Sequence, residues 1–189
     1  MSEDALVELL KESDKRMAQS LESLKRELAT IRTGRANPSI LDRVRVEYYG
    51  EKVPVNQVGT ISAAEARLLL ISVWDKEMVK PVVDAITSSD LGLNPNSDGN
   101  IIRVPLPQLT TERRKELAKQ VSRKAEEAKV GVRNTRRETI EKLRSMQRSG
   151  TISEDDLSRY QEQVQKITDA HIKQTEAAEA AKADEVLAG

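Results

Sequence analysis

The chain has 189 residues, room for one large or two small domains. Thirty-one Lys+Arg stand against 31 Asp+Glu, a formal net charge of zero, while aromatic residues make up 2% of the chain. With no Cys and a single His, disulfides, Cys-ligated zinc, iron–sulfur clusters, thiol nucleophiles and an HExxH centre are all excluded.

From Leu6 to Arg32 the residues are helix formers without Gly or Pro. Met17, Leu21, Leu24, Leu28 and Ile31 step by four and three, the spacing of an apolar seam in a bundle. Val7 and Leu10 extend the seam backwards, with Asp14 as its polar member. Thr33-Gly34 and Asn37-Pro38 then stop the helix.

Between Ser39 and Leu106 the pattern changes. Val44, Val46 and Tyr48 alternate with charged residues, which predicts a half-buried strand, and Gly50 marks a turn. Val53, Val55 and Val58 suggest a partner strand that Pro54 makes an edge or irregular one. Leu68–Trp74 reads as a buried strand and Met78–Ser88 as a helix with Pro81 in its first turn. Two extended pieces are expected near Leu91–Leu93 and Ile101–Val104, around a turn-rich segment from Asn94 to Asn100.

After Pro105-Leu-Pro107 helical spacing returns. Thr110 or Thr111 caps a helix to about Arg148, roughly 60 Å long at 1.5 Å per residue. Its seam is Leu117, Val121, Ala125, Ala128, Val132, Thr139, Leu143 and Met146. Gly150 breaks it, and Ser153-Glu-Asp-Asp156 opens another helix with a capping-box-like start. There Leu157, Tyr160, Val164, Ile167, His171, Ala178 and Ala181 form the seam. Three long stripes that cannot be buried singly predict an antiparallel three-helix bundle, and with the insert an α+β chain. The expected domains are 1–32 with 107–189, and an inserted unit 33–106. The two linking segments, Thr33–Ala36 and Val104–Gln108, predict a hinge.

The zero net charge hides a division. Residues 107–150 hold thirteen basic against six acidic residues, and residues 151–189 hold four against nine. On the basic helix, Lys129, Arg133 and Arg137 fall at i, i+4 and i+8, with Arg136 beside Arg133. Arg113 and Arg114 form a second cluster, and Arg32 and Arg35 stand at the end of the first helix. A solvated face neutralised by the acidic helix is one reading. The other is a phosphate-binding strip, because the guanidinium fork matches phosphate bidentately. Scarce aromatics favour folded or duplex RNA over stacked single strands.

Other motifs fail. Asn94, Asn96, Asp98 and Gly99 copy the start of an EF-hand loop, but its twelfth place is Pro105 where a bidentate Glu is needed. Thr33-Gly34-Arg35 lacks a P-loop ending. His171 sits on an apolar seam, where a packed and hydrogen-bonded ring is expected. No catalytic constellation, metal site or cofactor is predicted. The longest apolar run, Leu68–Ile71, is too short to cross a membrane, and the acidic Met1-Ser-Glu-Asp4 is unlike a signal peptide. A soluble cytoplasmic protein is expected, bacterial rather than organellar because no Arg-rich leader precedes the first helix. On residues alone, three readings stand: an RNA- or ribosome-binding protein, a coiled-coil adaptor, and an enzyme with an unrecognised site in the insert.

Seven segments in order also carry a resemblance. Ile31-Arg-Thr-Gly-Arg-Ala36, Val46-Glu-Tyr-Tyr-Gly50, Ser89-Asp-Leu-Gly-Leu-Asn-Pro-Asn-Ser97, Ile102-Arg-Val-Pro-Leu-Pro107, Thr111-Glu-Arg-Arg-Lys115, Val132-Arg-Asn-Thr-Arg-Arg137 and Ile152-Ser-Glu-Asp-Asp156 are similar to those of the bacterial ribosome-recycling factor family. The resemblance implies an L-shaped architecture, a three-helix bundle with an inserted β/α/β domain on a flexible neck. It implies a non-catalytic, monomeric translation factor that binds the 50S subunit of the 70S ribosome after termination. With elongation factor G, which hydrolyses GTP, such a factor splits the complex into subunits. Carried over by position, Arg133, Arg136, Arg137, Arg32, Arg35 and Lys129 would contact 23S rRNA. Thr33, Gly34, Val104, Pro105, Leu106, Pro107 and Gln108 would form the hinge.

Overall fold

In a computed structural model the described residues are 2–188, and Met1 and Gly189, the ends of the expected bundle domain, lie outside them. They fall into two compact units. One comprises the chain up to Ile31 together with Lys115–Ala188, the other Arg32–Arg114. The second boundary falls within the first turn of a long helix.

The first unit is built from α1 (Ser2–Ala29), α3 (Thr111–Arg148) and α4 (Glu154–Ala188). Thr110 caps α3 by accepting the Arg113 N–H at 3.0 Å. The Gly150 turn ends it, with the Thr151 N–H donating to the Met146 carbonyl at 2.9 Å. Ser153 opens α4 by accepting the Asp156 N–H at 3.0 Å. The Asp156 carboxylate returns to the Ser153 N–H at 3.4 Å, closing a capping box with Asp in the Glu place.

Paired side chains give the helix directions. Arg16 meets Glu138 and Lys124 meets Glu27, so α1 and α3 are antiparallel. Lys129 meets Glu179 and Arg136 meets Gln165, so α3 and α4 are antiparallel too. At one end Leu6, Leu143, Ile152, Tyr160 and Val164 form a core cluster. Burial corrects the seams by one helical position in places. On α1 Leu6 and Ser13 are buried in place of Val7 and Asp14, which are exposed, while Met17, Leu21, Leu24 and Leu28 are buried as expected. On α4 Thr168 and Thr175 are buried and Ala181 is exposed. Threonine is admitted because its hydroxyl donates to its own helix: Thr168 to the Val164 carbonyl and Thr175 to the His171 carbonyl, both at 2.8 Å.

The second unit holds a hairpin, β1 (Arg45–Tyr48) with β2 (Glu51–Pro54), and a four-stranded antiparallel sheet in the order β3-β4-β6-β5. Its strands are β3 (Gly59–Glu65), β4 (Leu68–Val73), β5 (Asn96–Asp98) and β6 (Ile101–Pro105). The helix α2 (Val79–Thr87) links β4 to β5. Tyr49 and Gly50 both have positive φ, as a two-residue turn matched to strand twist requires. Leu41, Val46, Leu69, Ile71, Val82, Ile86, Ile102 and Val104 are packed in one core.

Four details of this unit differ from expectation. The partner strand ends at Pro54, because Val55–Gln57 is a 3-10 turn. Leu91–Leu93 is no strand, although Leu93 is buried; the extended piece is β5, inside the stretch read as turns. β3 was not foreseen, since Thr60, Ser62, Ala63 and Ala64 have little apolar character. β4 is buried on one face only: Leu69, Ile71 and Val73 face the core, while Ser72 is exposed.

Candidate RNA-binding surface

A straight helix keeps residues four apart on one side, so α3 brings Lys129, Arg133, Arg136 and Arg137 together as a row. Their surroundings differ. Lys129 is largely enclosed: its side chain is 15% exposed, and Nζ lies 3.6 Å from both the Glu176 and the Glu179 carboxylates of α4. Arg133 is 42% exposed and pairs along its own helix with Glu126 at 3.2 Å. Arg137 is exposed and donates to the Asn134 side chain at 3.5 Å. Arg136 is half-buried and donates from Nη1 to Gln165 Oε1 at 3.1 Å.

The charge available to an anion is therefore uneven. Two carboxylates over-neutralise Lys129, whereas Arg136 faces a neutral amide and Arg137 faces solvent. The spacing also extends the row: Arg144 lies seven residues beyond Arg137, two turns on along the same face, and is exposed. The i+7 period along α3 makes the placement of Arg144 legible in the sequence. The partners on α4 had no such signal, since nine acids on that helix do not say which of them faces α3.

The remaining candidates sit in the other unit. Arg32 is half-buried and donates to the Leu91 carbonyl at 3.3 Å, which ties the chain leaving α1 to the loop after α2. Arg35 is exposed. Arg113 is exposed and Arg114 half-buried, both in the first turn of α3.

The expected hinge residues also divide. Val104 and Pro105 belong to β6, paired with Leu69 and Leu68, and Val104 is fully buried. The Leu106 N–H donates to the Arg67 carbonyl at 2.8 Å, and across the same β3–β4 turn Ala36 donates to Ala66 at 2.7 Å. Val104 and Pro105, two of the expected hinge residues, are thus paired in the sheet ladder, and Leu106 is tied to the β3–β4 turn by one backbone bond. Thr33, Gly34, Pro107 and Gln108 lie outside helix and strand.

His171 is buried in the bundle and its Nε2 meets Asp14 Oδ1 at 2.6 Å. Among the described residues no group of His, Asp and Glu is placed to hold a metal ion, and no helix is long and apolar enough to cross a membrane.

Three long helices interrupted by a small α/β unit, with a row of cations along α3, define an α+β protein of the helical-bundle class. Comparison with known proteins places the chain more narrowly. The family model "Ribosome recycling factor" matches residues 24–187. A ribosome-recycling factor of Listeria monocytogenes serotype 4a is 52% identical over 180 residues, 95% of this chain and 97% of that one. A solution structure of ribosome recycling factor is similar with a TM-score of 0.75 and 42% identity, over 97% of this chain and 98% of the other. Models of the T. thermophilus ribosome recycling factor and E. coli elongation factor G bound to the E. coli post-termination complex give a TM-score of 0.65 and 43% identity, over 96% and 98% of the two chains. The chain belongs to the ribosome recycling factor family.

Proposed function

We propose that this chain binds the large ribosomal subunit of the post-termination complex in the cytoplasm. With elongation factor G and GTP, which that partner hydrolyses, it splits the complex into subunits. One observation carries the reading: the chain matches, over nearly its whole length, a recycling factor bound to a post-termination complex beside elongation factor G. The role is mechanical. The bundle anchors by phosphate contacts, and the insert moves on the short segments that lie outside helix and strand.

In this reading Arg133, Arg136 and Arg137 contact 23S rRNA, Arg144 extends the contact, and Lys129 contributes less because its charge is already paired. Arg35 is the exposed contact of the other unit, while Arg32 serves mainly to hold Leu91. Arg113 and Arg114 form a secondary basic cluster. Thr33, Gly34, Pro107 and Gln108 form the hinge. The factor works as a monomer.

Light scattering of post-termination complexes tests the function. Splitting should require this chain, elongation factor G and GTP together; splitting that proceeds equally without the chain would remove the reading. Arg136→Glu, which adds repulsion as well as deleting a contact, should weaken co-sedimentation with 50S subunits while leaving the helical circular dichroism intact. Deleting Gln108 should spare co-sedimentation and slow splitting, and normal splitting would reject the hinge.

A further inference from the structure

We infer that Gln165 of α4 is a positioning residue for Arg136, holding its guanidinium for an anionic ligand without consuming its charge. The inference rests on the rRNA-contacting role proposed for Arg136.

Three observations lead to it. Arg136 Nη1 donates to Gln165 Oε1 at 3.1 Å, and the Arg136 Nε is buried with no hydrogen-bond partner. The orientation of the guanidinium therefore depends on the contact with Gln165. Gln165 is itself fixed, because its Nε2 donates to Asp169 Oδ1 at 2.8 Å. Oε1 and Nε2 belong to one planar amide, so the bond to Asp169 decides that the carbonyl end is the one turned to Arg136.

The chemistry of position 165 matters by contrast with its neighbours along the same edge. Lys129 is met by the carboxylates of Glu176 and Glu179, and Arg133 by that of Glu126. A carboxylate at 165 would orient Arg136 equally well and cancel its charge. Towards Arg136 the amide presents only its carbonyl acceptor, and the carboxylate of Asp169 is met by the amide's other end. Arg136 is thus held and left cationic, as bidentate capture of a phosphate requires. Ordering the side chain before binding also removes part of the rotamer entropy that would otherwise be lost on binding.

The test uses the full chain and 50S subunits. Co-sedimentation is measured against salt for the wild type, Gln165→Ala, Arg136→Ala and the double variant. Gln165→Ala should weaken binding about three- to tenfold, and the loss should vanish in the Arg136→Ala background, because coupled residues are not additive. The salt slope should be unchanged in Gln165→Ala, which removes no charge, and should fall by about one in Arg136→Ala. Equal losses from Gln165→Ala in both backgrounds would overturn the positioning role. If Arg136→Ala leaves binding unaltered, the rRNA contact itself fails. The guanidinium nitrogen resonances of Arg136 then decide: averaging on Gln165→Ala sustains the positioning, and no change overturns it. Unchanged helical circular dichroism and melting temperature in Gln165→Ala separate the effect from unfolding.

Discussion

Asp14 on α1 accepts the Nε2–H of His171 on α4 at 2.6 Å, joining an exposed carboxylate to a buried ring. The other ring nitrogen, Nδ1, is buried without a hydrogen-bond partner. Asp14 is therefore the group that satisfies the imidazole, and its removal strands a buried donor. Asp14→Ala should destabilise the bundle by about 1–3 kcal/mol, the cost of an unsatisfied buried polar group. Urea unfolding followed by far-ultraviolet circular dichroism measures this, and an unchanged midpoint would show that the contact contributes nothing net.

Lys129 and Arg137 share a helix face and should behave differently. The pairing of Lys129 with Glu176 and Glu179 predicts that Lys129→Ala weakens binding to 50S subunits less than Arg137→Ala does. Glu176→Gln combined with Glu179→Gln should strengthen binding and steepen its salt dependence by about one, the number of cations released. Weaker binding by that double variant would mean that the two acids organise the strip instead of attenuating it.

Gly59 begins β3 where the chain crosses the end of β4. A Cβ placed there would stand 2.6 Å from the Ser72 carbonyl oxygen and 3.1 Å from Val73 Cα. Both are backbone atoms of the paired strand, so no rotamer change relieves the clash. Gly59→Ala should cost the insert about 1–3 kcal/mol, in the range of overpacked cores. Trp74 follows directly after β4 and its N–H donates to the Val58 carbonyl at 3.2 Å. As the single tryptophan of the chain, it reports the insert by fluorescence while circular dichroism follows the long helices. A shift of the circular dichroism transition alone would contradict the assignment.

Arg16 and Glu138 tie α1 to α3 at 2.7 Å. The hydrogen bond from Arg16, and next its charge, hold the Glu138 carboxyl below its ordinary 4.5. A lowered folded value means that the unfolded chain takes up the proton first. The stabilisation is thus full above the ordinary value and is lost as the pH falls through the folded one. Within its own helix Glu141 is lowered in the same sense by Arg148. Arg16→Ala should therefore be less stable than the wild type at neutral pH, with the difference closing in strong acid. A difference that stays constant with pH would assign the effect of Arg16 to packing instead.

Much of this molecule is legible in its residues because helix and strand periods are local. Steps of three and four from Met17 to Leu28, from Leu117 to Leu143 and from Tyr160 to His171 define the three long helices, and each stripe is too narrow to be stable alone. Alternation at Val44 and Val46 marks β1, whereas β3 carries no alternation of large apolar residues and is held by its pairing with β4. The seam was displaced at Val7 and Asp14 because neighbouring positions on a helix differ by only 100°. Which of them is buried depends on where the partner helix lies.

The site divides in the same way. Sequence alone placed four cations on one helix and separated a basic α3 from an acidic α4, since charge and spacing are properties of the chain. Tertiary packing decided what each cation can do: two carboxylates hold Lys129, a neutral amide holds Arg136, and solvent meets Arg137. It also paired Val104 and Pro105 with Leu69 and Leu68 in the sheet ladder. Electrostatic and hydrogen-bond energies fall off over a few ångströms, so they depend on side chains far apart in sequence that only the folded helices bring together.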